Sequence, residues 1–260
     1  MINQETNKLA RAILPVIFVI DTSGDMYGQP ISIVNNCIEN VIKSIGDFAT
    51  SNCDISPRIG VLQVHSGVRW QQPNGLVDAV KYVFEPLYAG GLRDMGAAMA
   101  ELDDTLSWEA FLSPASDLCK PIIILVTDEG QPTDQWEEPL KKLNYNNWYQ
   151  NSMRVGFAIE NDANLWIISQ IIGNPGAVIH TSDLTAFSIL FKRVVLKSIE
   201  ICSESHVGSE IPSSKEIVLD VIKETGQDYQ VTDFGVTIGA LEEMNNKKWN
   251  KGWSDDWEWV

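Results

Sequence analysis

The sequence predicts an α/β fold in which a mostly parallel sheet is covered by helices on both faces. Two observations carry this prediction: short, continuous apolar runs alternate with longer segments of helical periodicity, and the most apolar runs contain no polar face. Strands that alternate with helices form parallel sheets, and strands covered on both sides are apolar throughout. With 260 residues, the chain suits one large domain, or a domain of roughly 200 residues with an extension.

The individual elements follow from these two patterns. Residues 13–20 and 121–127 are almost purely apolar, which predicts central strands. Residues 30–49 carry apolar side chains at helical spacing. The residues expected at the centre of the sheet are Ile17, Val19, Ile124 and Val126. The remaining predicted elements are strands over 58–65, 68–72 (antiparallel to its predecessor), 153–160 and 177–180, and helices over 94–111, 135–149, 163–172 and 184–201.

The C-terminal part of the chain has a different character. A polar stretch over 203–214 resembles a linker, so we predict a domain over residues 1–203 and a C-terminal extension over 204–260. Residues 218–236 indicate a helix and a strand only weakly. The end of the extension is rich in tryptophan, namely Trp249, Trp253, Trp257 and Trp259. Because tryptophan is costly to expose and common in binding hot spots, this tail is expected either to dock on its own domain or to anchor a partner.

The charge balance excludes several classes of protein. Lys plus Arg is 19 and Asp plus Glu is 35, which leaves a net charge of -16. Nucleic acid and anionic membranes attract proteins through clustered Lys and Arg, so neither is an expected partner.

The apolar runs of the sequence are shorter than the ~20 residues that are needed to cross a bilayer. Four scattered cysteines without metal-type spacing are expected to be reduced thiols in a cytoplasmic protein.

Two acidic motifs follow the two most apolar strands. Asp21-Thr22-Ser23-Gly24-Asp25 comes directly after the first, and Thr127-Asp128-Glu129-Gly130 after the central one. Ligands of such sheets lie at the carboxyl ends of the strands, where oxygen ligands could hold a hard cation. One acidic loop alone would equally suit a helix cap, but two loops at the expected positions favour a shared site. Asp94, before the next helix, is expected to be a solvated cap charge.

The motifs resemble those of von Willebrand factor A domains. VIFVIDTSGDMYGQPI is similar to the first strand and its Asp-x-Ser-x-Ser loop, GGLRDMGAAM to the second loop, and IIILVTDEGQPTDQW to the third, over about residues 12–200. The run from Thr127 to Trp136 looks most like the bacterial tellurium-resistance-associated, TerY-like subgroup. The resemblance implies a three-layer, Rossmann-like sandwich. It also implies a cytoplasmic stress-response or defence protein encoded near a protein kinase and a phosphatase.

The resemblance implies a metal-ion-dependent adhesion site, which departs from the family pattern here. Asp21, Ser23 and Asp128 match the family ligands, but Asp25 replaces the second serine. Arg93 stands where the family has threonine, and an alternative register puts Leu92 there. Three interpretations follow. In the favoured one, Arg93 replaces the metal in an internal ion pair. In the second, magnesium stays bound by Asp21, Ser23, Asp25 and Asp128, with Arg93 turned away. In the third, the acidic cleft is empty.

The resulting functional hypothesis is a non-enzymatic protein-interaction module without a cofactor. It would scaffold or regulate a partner such as the kinase or phosphatase. Its partner-binding face would contain Asp21, Ser23, Asp25, Arg93 and Asp128, and no catalytic residue is expected. The alternative is a magnesium-dependent hydrolase or phosphotransferase with Asp21 as nucleophile. Haloacid-dehalogenase-like phosphatases have a second aspartate two residues later, where this chain has Ser23.

Overall fold

The computed structural model describes residues 11–73, 75–107, 118–128, 132–159, 164–204, 212–229 and 236–238. Within these ranges, helices cover both faces of an eight-stranded sheet. The strands are β1 (Ala12–Asp21), β2 (Ile55–Val64), β3 (Val68–Trp70), β4 (Val77–Asp78), β5 (Ile122–Thr127), β6 (Met153–Ile159), β7 (Val178–Thr181) and β8 (Val236–Ile238). The helices are α1 (Gln29–Ser51), α2 (Met95–Thr105), α3 (Glu137–Leu143), α4 (Asn147–Gln150), α5 (Leu165–Ile172), α6 (Leu184–Glu204) and α7 (Ser214–Tyr229).

The sheet is mostly parallel, as the sequence predicts. Its strand order is β3-β2-β1-β5-β6-β7-β8, and β4 also pairs with β2. Five neighbouring strands run parallel to one another, namely β2, β1, β5, β6 and β7. Strands β3, β4 and β8 pair antiparallel with their neighbours. The chain leaves β1 toward β2 and later returns to β5 on the other side of β1. This reversal opens the crevice at the carboxyl ends of β1 and β5 where ligands of such sheets bind.

Two apolar layers follow from the alternation of side chains along each strand. Val16, Phe18 and Ile20 face α1, α6 and α7, whereas Ile17 and Val19 face α2, α3 and α5. The four residues predicted at the centre of the sheet are each at most 3% exposed. The aliphatic runs therefore identified strands that are covered on both faces.

The segment over 135–149 is not the single helix that its periodicity predicts. Helix α3 ends at Leu143, and α4 begins at Asn147 after a turn. The side chain of Asn146 accepts hydrogen bonds from the backbone N–H groups of Trp148 and Tyr149, at 3.0 and 3.2 Å. Asparagine is a strong N-cap, so it starts a new helix here. The predicted helix over 94–111 ends at Thr105, and residues 108–117 lie outside the described ranges.

Part of the C-terminal region contacts the same sheet. Helix α7 begins with a capping box in which the Ser213 N–H donates to Glu216 Oε2 at 2.7 Å. Its residues Ile217, Val218 and Val221 are buried in the core that contains Phe18, and β8 pairs with β7. The division between residues 203 and 204 stays a prediction, and the tryptophan-rich tail lies outside the described residues. No helix in the described part of the chain is long and apolar enough to span a membrane.

Candidate functional site

Three loops meet at the carboxyl ends of β1 and β5. The first follows β1, the second precedes α2, and the third follows β5. Backbone hydrogen bonds join the first two loops: the Gly90 N–H donates to the Thr22 carbonyl at 2.8 Å, and the Gly24 N–H donates to the Gly91 carbonyl at 3.0 Å. Gly91 has a φ of 81°, a backbone conformation that favours glycine. The topology thus brings the predicted site residues together.

Arg93 contacts all three candidate carboxylates. Its Nε donates to Asp21 Oδ2 at 2.6 Å, and its Nη2 donates to Asp25 Oδ2 at 3.3 Å and also to Asp128 Oδ1. The Arg93 residue is 3% exposed, whereas Leu92, the alternative in the sequence register, is 59% exposed. We call Asp21, Asp25, Arg93 and Asp128 the Arg93 cluster.

Both oxygens of Asp21 are engaged. Oδ1 accepts from the Ser23 backbone N–H at 2.8 Å, and Oδ2 accepts from Thr127 Oγ1 at 2.7 Å as well as from Arg93. Asp21 is fully buried. Sequence reasoning did not single out Thr127 as a site residue, although a hydroxyl at the end of a buried strand, next to Asp128, was a visible signal. These contacts fix the carboxylate that links β1 to β5.

The loop that carries Arg93 is held by the loop after β5. The Thr133 N–H and Oγ1 both donate to the Arg93 carbonyl, at 2.9 and 2.8 Å. Thr133 Oγ1 also donates to Asp94 Oδ1 at 2.9 Å, and the Gly67 N–H donates to Asp94 Oδ2 at 2.6 Å. The expectation that Asp94 is a solvated helix cap is therefore wrong, because its carboxylate ties three loops together.

The beginning of α2 is capped from outside the helix. Asp94 occupies the N-cap position but makes no side-chain cap hydrogen bond. Instead, Asp134 Oδ2 accepts from the Ala97 N–H at 2.9 Å. Gly96 permits this approach, because a Cβ there would lie 2.7 Å from Asp134 Oδ2 and 2.6 Å from the Gln135 carbonyl oxygen. Asp134 and Gly96 thus position Arg93, and sequence reasoning missed both.

Burial and charge act in opposite directions on the cluster. Burial raises the pKa of Asp128 to about 6, although Arg93 opposes the rise. Burial disfavours the charged form of Arg93, but Asp21, then Asp128 and Asp25, outweigh it and raise its pKa. Asp128 is 7% exposed, whereas the Asp25 side chain is 76% exposed. The cluster therefore places one exposed and two buried carboxyl groups around a guanidinium whose charged form they stabilise.

The arrangement does not fit the magnesium ion that the family motif implies. Magnesium requires a nearly octahedral shell of oxygen ligands, and here a guanidinium already binds the carboxylates that would supply it. No group of three or more His, Cys, Asp or Glu side chains in the described ranges is placed to hold a metal ion. The Ser23 hydroxyl is buried without a hydrogen-bond partner, which leaves a ligand-type group unused beside the arginine.

A family model for the von Willebrand factor type A domain matches residues 16–193. The chain belongs to the von Willebrand factor type A family. The match to this VWA model includes every member of the Arg93 cluster and ends inside α6. No curated protein matches the sequence.

Solved structures share the VWA fold at low sequence identity. A von Willebrand factor type A protein from Catenulispora acidiphila is 16% identical, with a TM-score of 0.52 over 73% of this chain and 43% of its own. Proximal thread matrix protein 1 from the mussel byssus, with a zinc-occupied MIDAS motif, is 16% identical, with a TM-score of 0.55 over 73% and 48%. The pilus adhesin SpaC from Lactobacillus rhamnosus GG is 13% identical, with a TM-score of 0.57 over 75% and 31%. The chain thus spans less than half the length of these three.

Proposed function

We propose that this VWA domain is a metal-independent protein-interaction module whose binding face is the carboxyl end of the sheet. VWA domains commonly mediate protein interactions or adhesion. The observation that carries the proposal is the contact of one buried arginine with three carboxylates from two loops. An arginine stays charged at every physiological pH, and no chelator removes it. The face is therefore formed before any partner or metal arrives.

Two features of the site support a non-enzymatic role. Asp21 is buried and its two oxygens accept three hydrogen bonds, so the carboxylate has no free approach for attack on a substrate. The Ser23 hydroxyl has no hydrogen-bond partner, so no base is placed to activate it. Binding, rather than nucleophilic catalysis, is what this geometry favours.

The finer part of the proposal concerns the biological setting. The similarity of the run from Thr127 to Trp136 to TerY-like sequences supports a cytoplasmic role in a bacterial stress or defence response, with tellurium resistance as one such setting. A protein kinase or phosphatase encoded nearby would be the partner. Co-purification of the tagged chain with those two proteins, in buffer containing EDTA, tests this part of the proposal. Loss of a complex on addition of EDTA would argue against metal independence.

The replacement of the metal is tested with Arg93→Thr. Loss of the guanidinium leaves Asp21 and Asp128 as buried, uncompensated charges, which costs about 3 to 5 kcal/mol of unfolding free energy. The threonine also restores the oxygen ligand of the family motif. We therefore expect a lower melting temperature for Arg93→Thr, partly recovered by millimolar magnesium chloride. The wild-type melting temperature should be equal in magnesium and in EDTA.

Arg69→Thr is the matched control, because Arg69 is an exposed residue of β3 and threonine suits a strand. It should melt near the wild-type temperature in both buffers. A wild-type protein that magnesium stabilises by several degrees would contradict the proposal, as would an Arg93→Thr variant as stable as Arg69→Thr.

A further inference from the structure

The Arg93 cluster carries an excess of negative charge at the proposed binding face. Three carboxylates and one guanidinium leave a formal charge of −2 when all are ionised. With a divalent cation in place of the guanidinium, the same three carboxylates would carry a formal charge of −1. The single arginine therefore leaves one more unit of negative charge at this face.

The positive charge of Arg93 is not available to a partner. The residue is 3% exposed, and its Nε and Nη2 already donate to Asp21, Asp25 and Asp128. The metal site of the family keeps one position for a partner's carboxylate. Here that carboxylate would meet buried donors already in use and would be repelled by Asp25. The only charged group of the cluster that a partner can reach is the Asp25 carboxylate, 76% exposed.

Exposed aromatic side chains accompany Asp25 on the same pair of loops. Tyr27 follows Asp25 by two residues and is 80% exposed, and Tyr88 on the adjoining loop is 81% exposed. Hydrogen bonds between Gly24 and Gly91, and between Gly90 and Thr22, join the two loops. Tyrosine rings attract lysine and arginine through cation–π contacts and are enriched where proteins bind. A carboxylate and two tyrosines that are exposed on joined loops are complementary to a basic side chain.

We propose that this face binds a basic peptide segment, with a lysine or arginine of the partner at Asp25 and its stem against Tyr27 or Tyr88. The polarity is opposite to that of a metal-bearing family site, which takes an acidic residue. This inference rests on the proposed function, because it specifies the partner of the same face. The Ser23 hydroxyl in the same loop is buried without a hydrogen-bond partner, so it is not a surface contact for the peptide.

The test is a selection of binders from a displayed random peptide library on the intact chain, in buffer with EDTA. Enriched peptides are synthesised and their affinities measured by fluorescence anisotropy at low and high salt. We expect lysine and arginine to be enriched, and affinity to fall steeply with salt. Asp25→Asn, Tyr27→Ala and Tyr88→Ala should each weaken binding about two- to five-fold, which is the range of exposed ion pairs and cation–π contacts.

Matched controls lie elsewhere on the surface. Asp104→Asn removes a carboxylate that is 78% exposed, nearly as much as that of Asp25, and Tyr145→Ala removes a tyrosine that is 72% exposed. Both should leave peptide affinity unchanged. If Asp25→Asn and Asp104→Asn lowered peptide affinity equally, basic peptides would be attracted by the net charge of -16 in general and not by this face. That outcome would overturn the proposal.

The remaining outcomes separate this inference from the proposed function. Enriched peptides rich in Asp or Glu that lose affinity with Tyr27→Ala would overturn the basic partner but keep the binding face. Peptides whose affinity none of the three site variants affects would overturn both. Basic peptides that depend on Asp25 and on either tyrosine would establish the reversed polarity.

Discussion

A single residue, Arg93, contacts three carboxylates at the carboxyl end of the sheet. Its planar fork reaches Asp21, Asp25 and Asp128 at once, which a lysine could not do with comparable geometry. Two of those carboxylates are buried, and buried charges are tolerated only when they are paired. Arg93 therefore belongs to the architecture of the fold as well as to the proposed binding face.

A second residue of the cluster, Asp128, should make the unfolding free energy depend on pH. Its pKa rises from an ordinary value of 3.8 to about 6 in the folded protein. Between these values the folded chain holds a proton that the unfolded chain releases, so this contribution to the unfolding free energy falls as pH rises from 4 to 6. The Asp128→Asn variant has no ionisable side chain at this position, so it lacks this pH-dependent contribution. The unfolding free energy of the wild type, minus that of the variant, should fall by about 2 to 3 kcal/mol between pH 4 and 7.

Urea denaturation of both proteins at pH 4, 5, 6 and 7 measures this difference. Taking the difference cancels the titration of the carboxylates outside the Arg93 cluster, which the two proteins share. A difference that stays constant, or that grows in favour of the wild type as the pH rises, would contradict the assignment of a raised pKa to Asp128.

At the scale of elements, the site depends on how the beginning of α2 meets the loop after β5. Asp134 caps α2 from that loop, and Thr133 holds the backbone of Arg93. The guanidinium is therefore placed by contacts between two loops that are distant in sequence. Helix α2 alone would not position it.

Gly96→Ala should disrupt that contact. The added Cβ would lie 2.6 Å from the Gln135 carbonyl oxygen and 2.7 Å from Asp134 Oδ2, closer than real Cβ contacts. The loop must shift, so we expect a loss of about 1 to 3 kcal/mol in unfolding free energy. Gly46→Ala in α1 is the matched control, because its Cβ would lie 3.5 Å from the Ala79 carbonyl oxygen. That change should stabilise the helix by up to about 1 kcal/mol.

Urea denaturation of the two variants measures these changes in unfolding free energy. Opposite signs support the assigned contact between α2 and the loop. A Gly96→Ala variant that is as stable as Gly46→Ala would show that the loop after β5 moves aside without cost.

At the scale of the whole molecule, α7 extends the core beyond the predicted domain boundary. It packs with α6 over the face that contains Phe18, and β8 continues the sheet past β7. Val218 is fully buried, whereas its neighbour Leu219 is 40% exposed. We expect Val218→Ala to cost about 1 to 3 kcal/mol of unfolding free energy, and Leu219→Ala about 0.5 kcal/mol or less.

Both variants are compared by thermal and urea unfolding. The larger loss should come from the smaller side chain, because burial rather than size decides the cost. Equal, small losses would indicate that α7 unfolds separately from the sheet, and would favour a domain that ends near residue 203.

The sequence alone determined the mostly parallel sheet, and the family resemblance indicated Asp21, Ser23, Asp25, Arg93 and Asp128 as candidate site residues. Long aliphatic runs such as residues 121–127 specify strands buried on both faces, because only such strands exclude polar side chains. Asp21 and Asp128 directly follow two aliphatic runs, whereas Arg93 was identified from the resemblance to the second loop of VWA domains. Local periodicity predicted the strands, since it depends on neighbours along the chain. It did not predict the break at Asn146, where a side-chain cap outweighs the apolar spacing.

Only the tertiary structure decided how the site residues are used. Arg93 donates to three carboxylates, Thr127 donates to Asp21, and Asp94 accepts from Gly67 and Thr133. The hydrogen-bonded partners in these contacts lie between 27 and 106 positions apart in the sequence. Side-chain direction and burial at such contacts follow from the packing of whole loops, which no local pattern encodes. The same holds for α7, whose weak amphipathic signal becomes a core contact only when the sheet offers it an apolar face.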